Sequence, residues 1–324
     1  MRSAIGVDIG GTKCTVTLGK ENDGSLEFPV VERFATEGPP MEILDKMSGI
    51  IERILNGCKT DGSGVEGVGI SCGGPLDSKN GVILTPPNLP DWDRICINDF
   101  FENRFGLPVW LCNDADACAV AEWKFGNGRG FRNVVFLTFG TGLGAGLILD
   151  GRLYSGTNDM AGECGHIRLC EHGPAGYGKA GSFEGFCSGG GIAQLGYLMA
   201  HESIQRGITP AYCPNGLSSN GITAKTIADA ADAGDATATE VYRISGEMLG
   251  RGLSVLVDIL NPEVIIIGSI FNRSRELLWP HAKNVMEKEC LNLSYGACKV
   301  VTSGLGERLG DYAAVTLALY RSEG

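Results

Sequence analysis

The chain has 324 residues, 43% hydrophobic and 20% charged, which suggests about two globular domains and excludes wholesale disorder. A formal net charge of −11 without a Lys/Arg-rich stripe argues against a partner held by its phosphate backbone, so no nucleic acid is expected. The cysteines are scattered from Cys14 to Cys298 with no Cys-x-x-Cys pair and read as buried free thiols, not a disulfide framework.

The amino-terminal segment reaches Asp8 before the apolar core of a signal peptide could develop. The longest apolar region, 134–149, is broken by Thr138, Thr141 and four glycines, so no membrane span or membrane partner is expected and the protein reads as soluble and cytoplasmic.

In chain order, 4–19 is a strand, a glycine turn at Gly10-Gly11 and a second strand, since Cys14-Thr15-Val16-Thr17-Leu18 alternates with period two. A Walker-type loop needs a helix after the turn and the spacing G-x-x-x-x-G-K-S/T, which is absent. Residues 41–55 predict an amphipathic helix opened by Pro39-Pro40 and closed by Gly57. Then come a buried strand over 65–71, a short helix over 98–104, a strand over 108–112 and a helix over 114–125 ended by Gly126.

Residues 134–149 repeat the first design, with Thr138 aligned to Asp8, Gly140 to Gly10 and Thr141 to Gly11. The segment 156–166 has the periodicity of neither helix nor strand. A long helix over 237–260 stops at Pro262 before a strand over 264–267, and 310–321 is a final helix. Two strand–turn–strand units, each followed by helices and strands, predict two α/β lobes with a ligand cleft between them.

Backbone N–H groups exposed in tight glycine turns form anion nests. Asp8 could hold Mg²⁺ through oxygen, and Thr12, Lys13, Thr141 and Gly142 could contact phosphate oxygens; either turn alone also reads as an ordinary hairpin. Gly140 to Ala145 fits G-x-G-x-x-A, but a strand follows, which speaks against a Rossmann site. Asn113-Asp114 stands where a strand meets a helix, so it is either a helix cap or places a carboxylate able to accept the proton of a substrate hydroxyl. The helix N-terminus favours ionised Asp114 by a few tenths to ~1 kcal/mol, predicting a weakened base. Glu163 and His166 on their glycine-rich loop suit a grip on vicinal hydroxyls, Glu163 accepting and His166 donating, while a structural histidine is the other reading. Cys164, His166, Cys170 and His172 lack a common zinc spacing.

The chain resembles the ROK family of sugar kinases and sugar-responsive repressors over nearly its whole length. The resemblance rests on Asp8-Ile-Gly-Gly-Thr-Lys13, Gly69-Ile-Ser-Cys-Gly-Gly-Pro-Leu-Asp77, Pro87-Asn-Leu-Pro-Asp-Trp92, Asn113-Asp114, Gly140-Thr-Gly-Leu-Gly-Ala-Gly146, Gly162-Glu-Cys-Gly-His166 and Pro262-Glu-Val-Ile-Ile-Ile-Gly268. It implies the two-lobed actin-like, ribonuclease H-like ATPase fold, with a smaller lobe of 1–112 plus 308–324 and a larger lobe of 113–307. It also implies an ATP-dependent kinase for the 6-hydroxyl of a hexose such as glucose, or of an N-acetylhexosamine such as N-acetylmannosamine.

In that resemblance Asp114 is the general base, and Asn88, Asn113, Glu163, His166 and Glu184 hold sugar hydroxyls. Asp8 (reaching Mg²⁺ through water), Gly10, Gly11, Thr12, Lys13, Gly140, Thr141 and Gly142 face Mg·ATP, with Gly268 near the adenosine. A homodimer is compatible with it. The alternatives are a sugar-binding protein without kinase activity and a sugar-responsive repressor lacking its DNA-binding segment, which in the family precedes the Asp8-type turn.

One departure stands out. The family's zinc-binding run Cys-x-Cys-Gly-x-x-Gly-Cys-x-Glu corresponds here to Ala175-Gly-Tyr-Gly-Lys-Ala-Gly-Ser-Phe-Glu184, with all three cysteines replaced. No structural zinc is expected there, and packing of Tyr177 and Phe183 is expected to hold the loop instead.

Overall fold

The first apolar run pairs with the β-branched stretch that follows it. In a computed structural model describing residues 2–62, 64–217 and 221–323, β1 (Arg2–Ile9) turns through residues 10–12 into antiparallel β2 (Lys13–Asn22). A third strand, β3 (Ser25–Ala35), pairs with β2. It is hidden in the sequence by Pro29 and by Glu27, Glu32 and Arg33, and it lies at the sheet edge, where a residue without an N–H is tolerated. Helix α1 (Pro40–Asp61) outruns the expected 41–55: Gly57 stays helical, and the end comes at Gly62, whose φ of 75° lets its N–H reach the Cys58 carbonyl.

There follow β4 (Val68–Cys72), the small antiparallel sheet β5 (Leu76–Asp77), β6 (Val82–Leu84) and β7 (Asp93–Cys96), then α2 (Ile97–Phe105), β8 (Val109–Asn113) and α3 (Asp114–Phe125). The main sheet runs β3-β2-β1-β4-β8, with β4 parallel to both β1 and β8. Asp8 is level with Ser71, and Ser71 with Cys112, so the carboxyl ends of three parallel strands share one edge. Ligands of open α/β sheets bind at such edges.

A second sheet, ordered β11-β10-β9-β14-β15, is built from β9 (Val134–Phe139), β10 (Leu143–Leu149), β11 (Arg152–Leu153), β14 (Val264–Ile267) and β15 (Lys299–Thr302). Between β11 and β14 come the hairpin β12 (Ala175–Gly176) and β13 (Lys179–Ala180), then α4 (Phe183–Phe186), α5 (Gly189–Gln205), α6 (Ala224–Asp232) and α7 (Ala236–Leu260). Helices α8 (Ile270–Glu289) and α9 (Asn292–Ala297) precede β15, and α10 (Leu309–Arg321) closes the chain.

The chain divides into two compact units: Met1–Arg132 with Gly146–Ala161 and Gly304–Gly324, and Asn133–Ala145 with Gly162–Ser303. These boundaries differ from the expected 1–112 plus 308–324 and 113–307, and the first unit is the larger. Helix α3 stays with the first unit because a Cβ on Gly146 would lie 2.3 Å from the Ala115 carbonyl oxygen, and because Glu122, buried on α3, accepts the N–H groups of Gly304 and Leu305. Among the described residues no helix is long and apolar enough to cross a membrane.

One face of the first sheet is covered by α1 through Ile43, Met47 and Ile51 on Ile5, Val7 and Val16, and the other by α10 through Val315, Ala318 and Leu319. Contact with α10 is backbone-close, since a Cβ on Gly69 would fall 2.1 Å from the Ala314 carbonyl oxygen. Gly69→Ala must push α10 off the sheet and is expected to destabilise the protein by ~1–3 kcal/mol, read as a lower urea midpoint.

Candidate active site

Asp8 is the next-to-last residue of β1, on the edge where the parallel strands end. Desolvation pushes its carboxyl up to about 6, opposed by a hydrogen bond from the Ser71 hydroxyl and by the charge of Lys13, and reinforced by the charge of Asp114. The adjoining turn closes when the Gly10 N–H donates to the Lys13 carbonyl at 3.1 Å. Thr36, which carries no signal in the sequence, pins the turn from β3's end: its hydroxyl donates to the Gly10 carbonyl at 2.7 Å and its N–H to the Thr12 carbonyl at 3.1 Å. A Cβ on Gly11 would lie 2.7 Å from the Asn88 carbonyl oxygen. The phosphate-type turn and Asn88 are therefore neighbours, and the Asn88 loop is anchored by buried Leu89 and Trp92.

Asn113 is a helix cap: its Oδ1 accepts the Ala115 N–H at 2.9 Å. Asp114 accepts the same N–H at 2.8 Å while its side chain stays exposed. The protein packed around that carboxylate strips enough water to raise its pKa, against the lowering effect of the backbone N–H bonds. This corrects the expectation of a weakened base, because desolvation outweighs the helix terminus. Two residues on, buried Asp116 accepts the Ser155 hydroxyl at 2.5 Å, and desolvation pushes it up to about 7. Nearby, the Asp159 carboxylate takes both the N–H and the hydroxyl of Ser78, at 2.8 and 2.6 Å.

In the second unit the Gly140 N–H donates to the Gly142 carbonyl at 3.1 Å, and the Thr138 hydroxyl oxygen accepts the Gly144 N–H at 3.0 Å. Thr138, aligned with Asp8 in sequence, thus braces its own turn. The Gly189 N–H donates to the Gly140 carbonyl at 2.7 Å, bringing the start of α5 against this turn. A cavity of about 390 Å³ opens there, lined by Gly140, Thr141, Gly189, Thr223, Ser269 and Arg273 among others. Its wall takes Ser269 rather than Gly268, whose N–H is bound to the Leu137 carbonyl at 3.0 Å. Ser269 has a φ of 55°, an uncommon backbone setting of the kind that gathers at functional sites. The run Ser188-Gly-Gly-Gly191, a capping serine followed by small residues, was the available sequence signal for this wall.

The turn carrying Glu163 and His166 lies directly on β10. Gly162 has a φ of 88°, a Cβ there would be 1.9 Å from the Ala145 carbonyl oxygen, and the Ala145 N–H donates to the Gly162 carbonyl at 2.8 Å. The His166 N–H donates to the Glu163 carbonyl at 3.1 Å, closing a 3₁₀ turn over Cys164–His166. Glu184, in the first turn of α4, accepts the Leu143 N–H at 3.0 Å and would meet a Cβ on Gly142 at 2.9 Å. Glu184, the Glu163–His166 turn and the Gly140–Gly142 turn therefore gather around the first residues of β10.

Ser182, in place of a zinc cysteine, caps α4 by accepting the Gly185 N–H at 3.1 Å. Phe183 is buried against Gly252, whereas Tyr177 is 68% exposed, which corrects the expectation that both rings pack in the core of the loop: Tyr177 sits in a hairpin turn outside the core, its ring edge-on to the His166 imidazole. Among the described residues no group of three or more His, Cys, Asp or Glu could hold a metal ion.

The model of the ROK family matches residues 4–320. The glucokinase of Thermotoga maritima is 32% identical over 99% of this chain and 98% of its own length. A ROK family glucokinase from Streptomyces griseus, solved with glucose and AMPPNP, superposes with a TM-score of 0.75 and 31% identity over 98% of this chain and 99% of its own. A ROK family transcriptional regulator homologous to Escherichia coli Mlc gives a TM-score of 0.82 and 25% identity over 99% of this chain and 79% of its own. The fold is that of the two-lobed, actin-like sugar kinases.

Proposed function

The chain belongs to the ROK family, and from that premise we propose that it is an ATP-dependent sugar kinase transferring the γ-phosphoryl group to the 6-hydroxyl of a hexose, glucose first, or of an N-acetylhexosamine such as N-acetylmannosamine. One observation carries the reading: the first unit sets two carboxylates, Asp8 and Asp114, at the carboxyl ends of parallel strands, each with its pKa raised chiefly by desolvation. A raised pKa on Asp114 suits a group that accepts the hydroxyl proton as the phosphoryl is transferred. The names of the glucokinase relatives support glucose as the first sugar to test.

Asn88, Asn113, Asp114, Glu163, His166 and Glu184 are the sugar-hydroxyl partners in this reading. The turns at Gly10, Gly11, Thr12 and Lys13 and at Gly140, Thr141 and Gly142 offer N–H groups to phosphate oxygens. The cavity beside Gly140 takes the nucleoside between Gly189, Ser269 and Arg273. Asp8 fits Mg²⁺, which is bound by one or two carboxylates together with substrate phosphates and does not need an all-protein cage. When bound, Mg²⁺ neutralises charge on the phosphate oxygens.

The test is a coupled ADP-release assay over glucose, mannose, fructose, allose, N-acetylglucosamine and N-acetylmannosamine. Saturable ADP release with at least one of them is expected. A sugar that binds by calorimetry while none of the six yields ADP would replace this reading with sugar sensing, which the likeness to the regulator favours.

A further inference from the structure

Two residues of the 175–180 hairpin touch His166 and have no place in the reading above. The Lys179 ammonium donates to the His166 carbonyl at 2.7 Å. That carbonyl is the last of the 3₁₀ turn over Cys164–His166. The Tyr177 ring stands edge-on to the imidazole, centroids 5.2 Å apart and planes at 75°.

Tyr177 occupies an awkward place. Strands β12 and β13 pair Gly176 with Lys179, leaving Tyr177-Gly178 as a two-residue turn with φ of 46° and 75°. Such turns favour Asn-Gly, and a bulky residue in the left-handed region is strained. The ring repays this with no core burial, since it is largely exposed. What the strained backbone does is hold an aromatic edge against His166.

The hairpin is stiff enough to impose a position. Gln194 grips the backbone of Ala175 at both its N–H and its carbonyl, at 3.1 and 2.9 Å. The Leu169 and Cys170 N–H groups both donate to the Gly181 carbonyl, and the Arg168 guanidinium donates to the Ala180 carbonyl at 2.8 Å. His166 and the segment after it are thus laced to the hairpin along its length.

We propose that Tyr177 and Lys179 are positioning residues for His166, one fixing the ring and the other the backbone, so that the hairpin sets sugar affinity. The inference rests on His166 being a sugar partner. Tyr177→Asn supplies the residue the turn prefers: its Tm is expected to stay level or rise, while the sugar Kd and KM rise roughly tenfold with kcat within about twofold. Lys179→Met is expected to raise Kd by a similar factor, and Lys179→Arg to restore it.

Both weakening variants are also expected to shift the His166 imidazole resonances in ¹⁵N-edited spectra, assigned with His166→Gln. Unshifted resonances, or affinity lost in Tyr177→Asn only together with thermal stability, would overturn the proposal. A wild-type protein that neither binds nor phosphorylates any of the sugars defeats the kinase reading instead, and the imidazole spectra still report whether the hairpin positions His166.

Discussion

Asp114→Asn is expected to lower kcat by at least ~10²-fold while sugar Kd stays within about threefold. The substitution is a clean one. An asparagine Oδ1 can still accept the Ala115 N–H that Asp114 accepts at 2.8 Å, and the Asn113 cap is untouched, so α3 keeps its start. Only the proton-accepting charge is lost. Because desolvation raises the Asp114 pKa from its ordinary value, the wild-type kcat/KM should fall as pH drops through that raised value, where the base becomes protonated. Asp8, pushed up to about 6 chiefly by desolvation, with the Asp114 charge adding to the rise, contributes its own step to the acid limb. In Asp114→Asn the Asp114 contribution to that limb should vanish along with the activity. Turnover within tenfold of wild type, with an unaltered acid limb, would remove Asp114 from the chemistry.

What the sequence discloses is what short-range rules control. The two glycine turns, the Asn113 cap and the start of α3 are all readable because period-two strands, glycine and a capping side chain act within a few residues. Elements whose local signal is contradicted stay hidden. Strand β3 contains Pro29 and alternating charge; α5 opens on three glycines, poor helix formers, and is held by the Ser188 cap and by contact of Gly189 with Gly140. The helix terminus alone gives the wrong direction for the Asp114 shift for the same reason: it is local, whereas desolvation is contributed by residues far away in sequence. Likewise Thr36 and Ser155 acquire meaning only from what folding places beside them, the Gly10 carbonyl and the Asp116 carboxylate. The 175–184 run is legible as lacking the cysteines that the resemblance leads one to expect, but its Lys179 and Tyr177 contacts to His166 are tertiary facts.

Asp116→Asn should make the protein more stable, and by an amount that depends on pH. Asp116 is 3% exposed and its carboxyl is pushed up to about 7, chiefly by desolvation, with the Ser155 hydroxyl bond pulling the other way. An unfolded aspartate titrates near ~3.9, so the native state binds this proton more tightly than the unfolded chain does. Below about pH 4 both states are protonated and the buried group costs nothing extra. As pH rises from there toward 7, the unfolded chain ionises freely while the folded one must either keep the proton or bury a charge, so wild-type stability declines, and the decline is complete above pH 7. Asparagine can accept the Ser155 hydroxyl without any charge to bury. The variant's advantage in urea denaturation is therefore expected to be small at pH 4.5 and to grow to on the order of a few kcal/mol at pH 8. An advantage equal at both pH values, or a variant less stable at pH 8, would mean that Asp116 is held ionised by partners stronger than the Ser155 hydroxyl.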